Sequence, residues 1–302
     1  MADRPLVAGV ELGGAKCLLL LASGPDDIRD QARIDTTTPG QTLAAVEARL
    51  RDWRDRHGFG ALGLASFGPL ELDPAAPDHG RIVGTPKPGW DGVDLLALGR
   101  RFGVPVGFDT DVNAAALAEG RWGGARGLDA FAYVTVGTGI GVGSIVAGCC
   151  IQGLGHSEAG HMRTSRPAGA TFAGVCPFHG DCAEGLASGP AIRAVAGVAA
   201  EDLAPDHPAW DEVVHVLAAM FHNLVVTTAP RRILLGGGVG MGQPHLLPRL
   251  RRALVDSLNG YAAGPRIERD IEAFLVAPAL GDRAGPLGAI ALALNALEVD
   301  DV

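Results

Sequence analysis

The chain has 302 residues, 47% hydrophobic and 20% charged, enough for one large domain or two, and a formal net charge of −9. That charge argues against nucleic acid or an anionic membrane as the main partner, so an anionic ligand must be held by local backbone donors and a few Lys or Arg. The N-terminal stretch has no signal pattern, no apolar run approaches a membrane span, and five cysteines point to a reducing cytoplasm rather than a disulfide framework.

Residues 7–11 are an apolar run ending at Gly13-Gly14, 17–22 resume it, and 28–34 offer a third strand. Leu43, Val46, Leu50 and Trp53 fall at helical spacing within 42–57. A strand at 61–67 ends in Gly68-Pro69, and 71–92, rich in Pro, Gly and Asp, read as irregular. A helix over 93–102 and a strand over 104–108 lead to an alanine-rich helix, 111–121, with Asp111 at its start.

The same grammar then repeats. A strand at 130–136 meets G-T-G-I-G-V-G, followed by strand-like runs at 144–147 and 149–152. After an insert rich in proline and glycine come helices at 191–200 and 210–228, then a strand at 232–235 running into Gly236, Gly237 and Gly238. A helix at 246–258, a strand at 271–276 and a final helix at 283–297 complete the pattern. Two such halves predict an α/β protein of two lobes packed around a cleft. The first lobe is placed at 1–111, with the closing helix, about 287–302, returning to it, and the second at 112–286.

The glycine turns 13–16 and 137–141 each follow a strand, where bare backbone lets N–H groups approach an anion. Either alone is an ordinary hairpin turn, and neither has Walker A spacing. The second is followed by a strand-like run rather than a helix, which sets a dinucleotide fingerprint aside. Together, in equivalent positions of two lobes, they suit a clamp on the phosphates of ATP.

The insert carries His161, Cys176, His179 and Cys182, with Glu158 and Glu184 on either side. Two cysteines and two histidines are the complement of a closed tetrahedral zinc site, and C-x2-H-x2-C lets one loop aim three donors at one point. The bland alternative, two buried cysteines and two surface histidines, leaves that spacing unexplained.

In sequence the chain resembles the ROK family of sugar kinases, in its bacterial fructokinase branch. The matching segments are E-L-G-G-A-K (11–16), A-S-F-G-P (65–69), T-P-K-P-G-W (85–90), T-D-V-N-A-A-A-L-A-E (110–119) and V-G-T-G-I-G-V-G (136–143). G-L-G-H-S-E-A-G-H (153–161), C-P-F-H-G-D-C-A-E-G-L-A-S-G-P-A-I (176–192) and I-L-L-G-G-G-V (233–239) extend the match over almost the whole chain. The T-P-K-P-G-W segment and the form of the zinc loop point to the fructokinase branch.

The resemblance implies a two-lobed, actin-like ATPase (ribonuclease H-like) fold with a zinc-binding loop, 161–182, in the second lobe. It also implies ATP with Mg²⁺, a structural Zn²⁺, a homodimer, and transfer of phosphate to the 6-hydroxyl of D-fructose. Asp111 would be the catalytic base; alone before V-N-A-A it would read as a helix N-cap, a role compatible with the first because a helix N-terminus favours a carboxylate. Glu158, His161 and Glu184 would contact sugar hydroxyls, with His161 holding the metal through its other ring nitrogen. Ser66, Gly68 and Pro69 would shape the sugar pocket, Lys87 and Trp90 its rim, and Thr110 would belong to the substrate set. Gly13, Gly14, Lys16, Thr138 and Gly139 match the phosphate turns, and Gly236, Gly237 and Gly238 the adenosine side; Ser188 is given no role.

Two departures stand out. Ala15 replaces the family's threonine and removes one hydroxyl from the phosphate turn, a loss of about 0.5–1.5 kcal/mol. Thr110 stands where many glucose-specific members carry Asn, which makes glucose the weaker candidate. The rival readings are a ROK kinase for glucose, mannose or an N-acetylated hexosamine, a sugar-responsive repressor, and a zinc-scaffold binding protein. The repressor needs a helix-turn-helix before the first strand, for which residues 1–6 leave no room.

Overall fold

The computed structural model describes residues 5–300. Residues 1–4 of the expected first lobe and 301–302 of its closing helix lie outside the described residues. The chain divides into two compact units, one of residues 1–127, 152–156 and 282–302, the other of 128–151 and 157–281.

The first unit is built on one mixed sheet. Strands β1 (Val7–Leu12), β2 (Lys16–Gly24) and β3 (Asp27–Asp35) form an antiparallel meander, and helix α1 (Pro39–Arg56) follows. Strand β4 (Leu62–Ser66) pairs parallel with β1; after helix α2 (Leu96–Arg100), β5 (Val106–Thr110) pairs parallel with β4. The order is β3-β2-β1-β4-β5. Helix α1 covers one face with Val46, Leu50 and Trp53, all fully buried, at the spacing its sequence showed.

Helix α3 (Asp111–Trp122) follows β5 directly, and α11 (Ala284–Asp300) closes the unit. Three glycines explain how α11 lies so near the sheet. Gly9, Gly63 and Gly107 stand side by side across β1, β4 and β5. A Cβ at Gly9 would lie 2.9 Å from the Ile290 nitrogen, and at Gly63 or Gly107 it would strike the backbone of Ala289 or Leu292. The row is a groove for one helix. Ala114 of α3 packs with Ala65, Ala289 and Leu292, so α3 groups with the first unit and the division falls after residue 127, where the sequence reading put it near 111.

The second unit repeats the plan. Strands β6 (Phe131–Val136), β7 (Ile140–Val146) and β8 (Cys149–Cys150) are antiparallel neighbours. Short helices α4 (Ala183–Ala187) and α5 (Gly189–Ala196) precede the long α6 (Ala209–Thr228), and β9 (Ile233–Gly236) then pairs parallel with β6. Helices α7 (Gly237–Gly242), α8 (Leu246–Leu258), α9 (Gly264–Arg269) and α10 (Ile271–Phe274) lead to β10 (Leu275–Val276). The order β10-β9-β6-β7-β8 is the first sheet's order read from the other edge. Its core joins Val134, Val136 and Val142 to Trp210, Val213, Leu217, Met220 and Leu224 of α6.

One expected element changes type. The strand predicted over 271–276 is a helical turn followed by two strand residues. Ile267, Ile271 and Phe274 are spaced by four and three and pack into the core together, so helical periodicity overrides the local apolar run. The helix α7, hidden in G-G-V-G-M-G, forms despite its glycines because Val239 is buried and Gly240 lies against Leu235. Among the described residues no helix is long and apolar enough to cross a membrane.

Candidate active site and metal centre

In the first unit the junction of β5 and α3 presents Asp111 as the first helical residue. The cap itself is Thr110, whose Oγ1 accepts the Asn113 N–H at 3.2 Å. Asp109 Oδ1 accepts from Asn113 Nδ2 (2.8 Å) and from the Thr110 N–H (2.7 Å), so the turn is fastened from both sides. Asp111 Oδ1 accepts the Val112 N–H at 2.8 Å.

Glu11, near the end of β1, belongs to the same neighbourhood. Its Oε2 is fully enclosed without a hydrogen-bond partner. Burial, first, and the charge of Asp111, second, push its carboxyl up to about 7, against the pull of Lys16. The glycine turn from Gly13 to Lys16 closes through the Gly13 N–H on the Lys16 carbonyl (3.0 Å), and Gly14 has open space on its Cβ side. Lys87 Nζ donates to the Gly14 carbonyl at 2.6 Å, tying the 85–90 segment to this turn.

Three residues expected to meet the sugar are enclosed instead. Trp90 is fully buried, edge-on to Phe67 at 5.4 Å, and its Nε1 donates to the Thr37 carbonyl; it is a prop beneath Phe67, not a rim. Ser66 is buried with its hydroxyl donating to the Phe67 carbonyl, and Thr110 is spent as the cap. Gly68 and Pro69 are joined by a cis peptide, beside which the Leu70 N–H donates to His156 Nε2 at 2.9 Å.

In the second unit His161, Cys176, His179 and Cys182 bring one donor atom each within 4.8 Å of one another. The two Nδ1 atoms are 3.3 Å apart, and N···S separations are 3.4 Å (His161–Cys182), 3.6 Å (His161–Cys176) and 3.7 Å (His179–Cys176). A tetrahedral zinc with bonds of about 2.0 Å to nitrogen and 2.3 Å to sulfur sets N···N edges of about 3.3 Å and N···S edges of about 3.5 Å. The cluster is compatible with zinc in ligand type and in every one of these separations.

Local folding places each donor. Cys176 and Gly180 exchange backbone hydrogen bonds (3.2 and 2.9 Å), closing the loop that carries His179. The Cys182 Sγ caps α4, accepting the Gly185 N–H at 3.5 Å. Burial, first, pushes the Cys182 thiol up to about 11; the Gly185 N–H opposes this, and Cys176 and Glu184 add to it. A bound cation acts in the other direction and holds a coordinating thiol as thiolate. Arg163 and Arg166 both pair with Asp181, and Arg166 reaches Glu212 at 3.4 Å, anchoring the loop to α6.

Glu184 links this cluster to the second glycine turn. Its Oε1 lies 4.0 Å from His161 Nε2, the ring nitrogen opposite the cluster, and its Oε2 accepts the Ile140 N–H at 3.0 Å. A Cβ on Gly139 would sit 2.7 Å from that oxygen, so glycine is needed for the carboxylate to come so close. Glu158 stands just before the turn that carries His161, its carbonyl accepting the His161 N–H.

Beside the turn lies a cavity of about 420 Å³ lined by Gly137, Thr138, Gly189, Pro190, Arg193, Ala199, Ala200, Glu201, Gly238 and Val239. Of the three glycines expected there, only Gly238 lines it. Gly236 faces the Tyr133 ring and Gly237, at φ +83°, faces the β6 backbone, so packing accounts for both. The sequence reading passed over Glu11, which stood in the quoted motif, and His156, Arg193 and Glu201. The last two had no signal: each is a charged residue on a short polar stretch until the fold sets it against the cavity.

The ROK family profile matches residues 7–296. The chain is 41% identical to a fructokinase of Zymomonas mobilis, covering 97% of this chain and 98% of that one, and 38% identical to a fructokinase of Pediococcus pentosaceus, covering 97% and 99%. The crystal structure of a ROK family glucokinase from Streptomyces griseus in complex with glucose and AMPPNP superposes with a TM-score of 0.75 at 25% identity, over 96% of this chain and 99% of that one. The chain belongs to the ROK family. Its two mixed sheets with their helices have the actin-like ATPase fold of ROK sugar kinase structures.

Proposed function

We propose that this chain is a fructokinase, transferring the γ-phosphoryl group of ATP to the 6-hydroxyl of D-fructose. The observation that carries the substrate is identity of 41% and 38% to two fructokinases along nearly the full length of each. The kinase chemistry draws support from two glycine turns and from a carboxylate at the first position of a helix.

Phosphoryl transfer needs positioned oxygens, neutralised charge and a base for the hydroxyl proton. Asp111 is that base: it takes the proton of the sugar 6-hydroxyl as that oxygen attacks the γ-phosphorus, and ADP leaves with the electrons of the broken P–O bond. Gly13 shapes the first turn by closing it on Lys16, and Gly14, Lys16, Thr138 and Gly139 offer the phosphates backbone donors and one ammonium. Mg²⁺ carried in with ATP would supply the positive charge that the phosphate oxygens need. Glu158, His161 and Glu184 bind sugar hydroxyls. His161 Nδ1, Cys176 Sγ, His179 Nδ1 and Cys182 Sγ would hold Zn²⁺, which would fix the His161 ring and the start of α4. Five free cysteines suit a reducing cytoplasm.

An ADP-release assay over fructose, glucose, mannose and N-acetylated hexosamines tests the reading, with Asp111→Ala alongside wild type. Fructose should give the highest kcat/KM, and the variant should lose about 10²–10⁴-fold in kcat, the usual worth of a positioned base. Turnover of another hexose without fructose would overturn the substrate, and equal rates from both proteins the base.

A further inference from the structure

The cavity beside the second glycine turn holds two charges that the phosphoryl-transfer scheme leaves without a task. Arg193, on α5, and Glu201 are the charged residues among those lining it. Both are exposed, and among the described residues neither side chain has a hydrogen-bond or ion-pair partner. The remaining wall residues are glycines, alanines, a threonine, a proline and a valine. A pocket that is otherwise small and apolar, with one acceptor-only and one donor-only group, has its polar specificity written in those two side chains.

The ends of the cavity differ. At one end the Gly189 N–H, first in α5, donates to the Gly137 carbonyl at 2.7 Å, which joins the glycine turn to the N-terminus of that helix. The glycine turn itself, given to the phosphates in the kinase reading, makes this the phosphate side. Arg193 stands one turn further along α5, and Glu201 follows Ala199 and Ala200. A carboxylate beside a triphosphate would repel it, so Glu201 serves the nucleoside end. Ala199 and Ala200, next to Glu201 in sequence, and Val239 are buried and give the cavity an apolar wall against which a base can pack. The exposed Glu201 at the edge is left for groups that must donate.

We infer that Glu201 accepts hydrogen bonds from the vicinal 2′- and 3′-hydroxyls of the donor nucleotide, making it the residue that selects ribonucleotides. Arg193 offsets the carboxylate's charge and covers the open side of the base. This inference rests on the kinase reading above. Two hydroxyls on adjacent carbons match the two oxygens of one carboxylate, and charge-assisted bonds of this kind are the stronger class.

Steady-state kinetics with ATP, 2′-dATP and GTP, on wild type and Glu201→Ala, provide the test, with KM for fructose as the internal reference. Wild type should favour ATP over 2′-dATP by about tenfold or more in kcat/KM. Glu201→Ala should raise KM for ATP by a similar factor while KM for 2′-dATP moves less than twofold, so the preference collapses. An undiminished preference in the variant overturns the inference, as does a wild type that does not discriminate. A shift in the ATP to GTP ratio alone assigns Glu201 to the base and also overturns it. If wild type phosphorylates no hexose, the kinase reading fails by itself; calorimetric binding of ADP against 2′-dADP to the same two proteins then decides the ribose contact.

Discussion

At the residue scale, Glu11 is the group most out of keeping with its surroundings. Its carboxyl has an enclosed oxygen with no partner and a neighbouring Asp111, and it titrates near 7 in the folded chain against 4.5 for its ordinary value. A raised pKa means the folded state binds the proton more tightly than the unfolded state does. The stabilising contribution is therefore whole below about pH 4.5 and is lost as pH rises through about 7, an effect of up to about 3 kcal/mol. Glu11→Gln, always neutral and nearly the same shape, removes this dependence. Melting temperatures of both proteins at pH 5 and pH 8 should show the variant gaining on wild type at the higher pH. A constant difference would mean that Glu11 ionises freely where it stands.

At the scale of elements, the metal loop is held at three places by different means. A pair of backbone bonds closes 176–180, Cys182 caps α4, and two arginines fasten Asp181. Wild type should carry one zinc per chain and Cys176→Ser should lose it, read by metal analysis after dialysis; full occupancy in the variant would refute the ligand set. Chelation should weaken fructose binding before it weakens ADP binding, because Glu184 sits 4.0 Å from His161 at the start of α4. Equal loss of both would reduce the zinc to a clamp on the whole unit.

Legibility in the sequence varied in the same way, element by element. The cluster was readable because metal ligands announce themselves by type and spacing. The helix start at Asp111 was readable from an acidic residue before an alanine-rich run, although the cap proved to be Thr110; the role of base came from the resemblance alone. Trp90 misled because a tryptophan in a loop looks available, whereas burial and the Thr37 carbonyl claim both its face and its N–H. Gly236 and Gly237 misled for a related reason: close packing on β6 demands glycine as firmly as a ligand does. Arg193 and Glu201 could not be found at all, since only the folded chain sets them on one cavity.

At the scale of the molecule, the shared strand order of the two sheets was legible as a repeated strand, glycine turn, strand pattern. The row of Gly9, Gly63 and Gly107 was not, because it exists only in the register of three parallel strands far apart in sequence. Gly63→Val sets a branched side chain against the Ala289 backbone and should cost at least 3 kcal/mol or abolish folding, measured by urea unfolding. A loss under 1 kcal/mol would show that α11 can lift without penalty. Gly14→Ala, where a Cβ meets nothing within 4 Å, is the control for the substitution itself.

That groove also sets an order of events during synthesis. Strands β1, β4 and β5 leave the ribosome well before α11, which fills the row of glycines. The entire second unit is translated in between. The first unit therefore waits with an apolar channel uncovered, whereas the second has all its strands and helices before α11 is made. On this account the second unit folds first although it is made second, and the period of greatest exposure to aggregation belongs to the nascent chain.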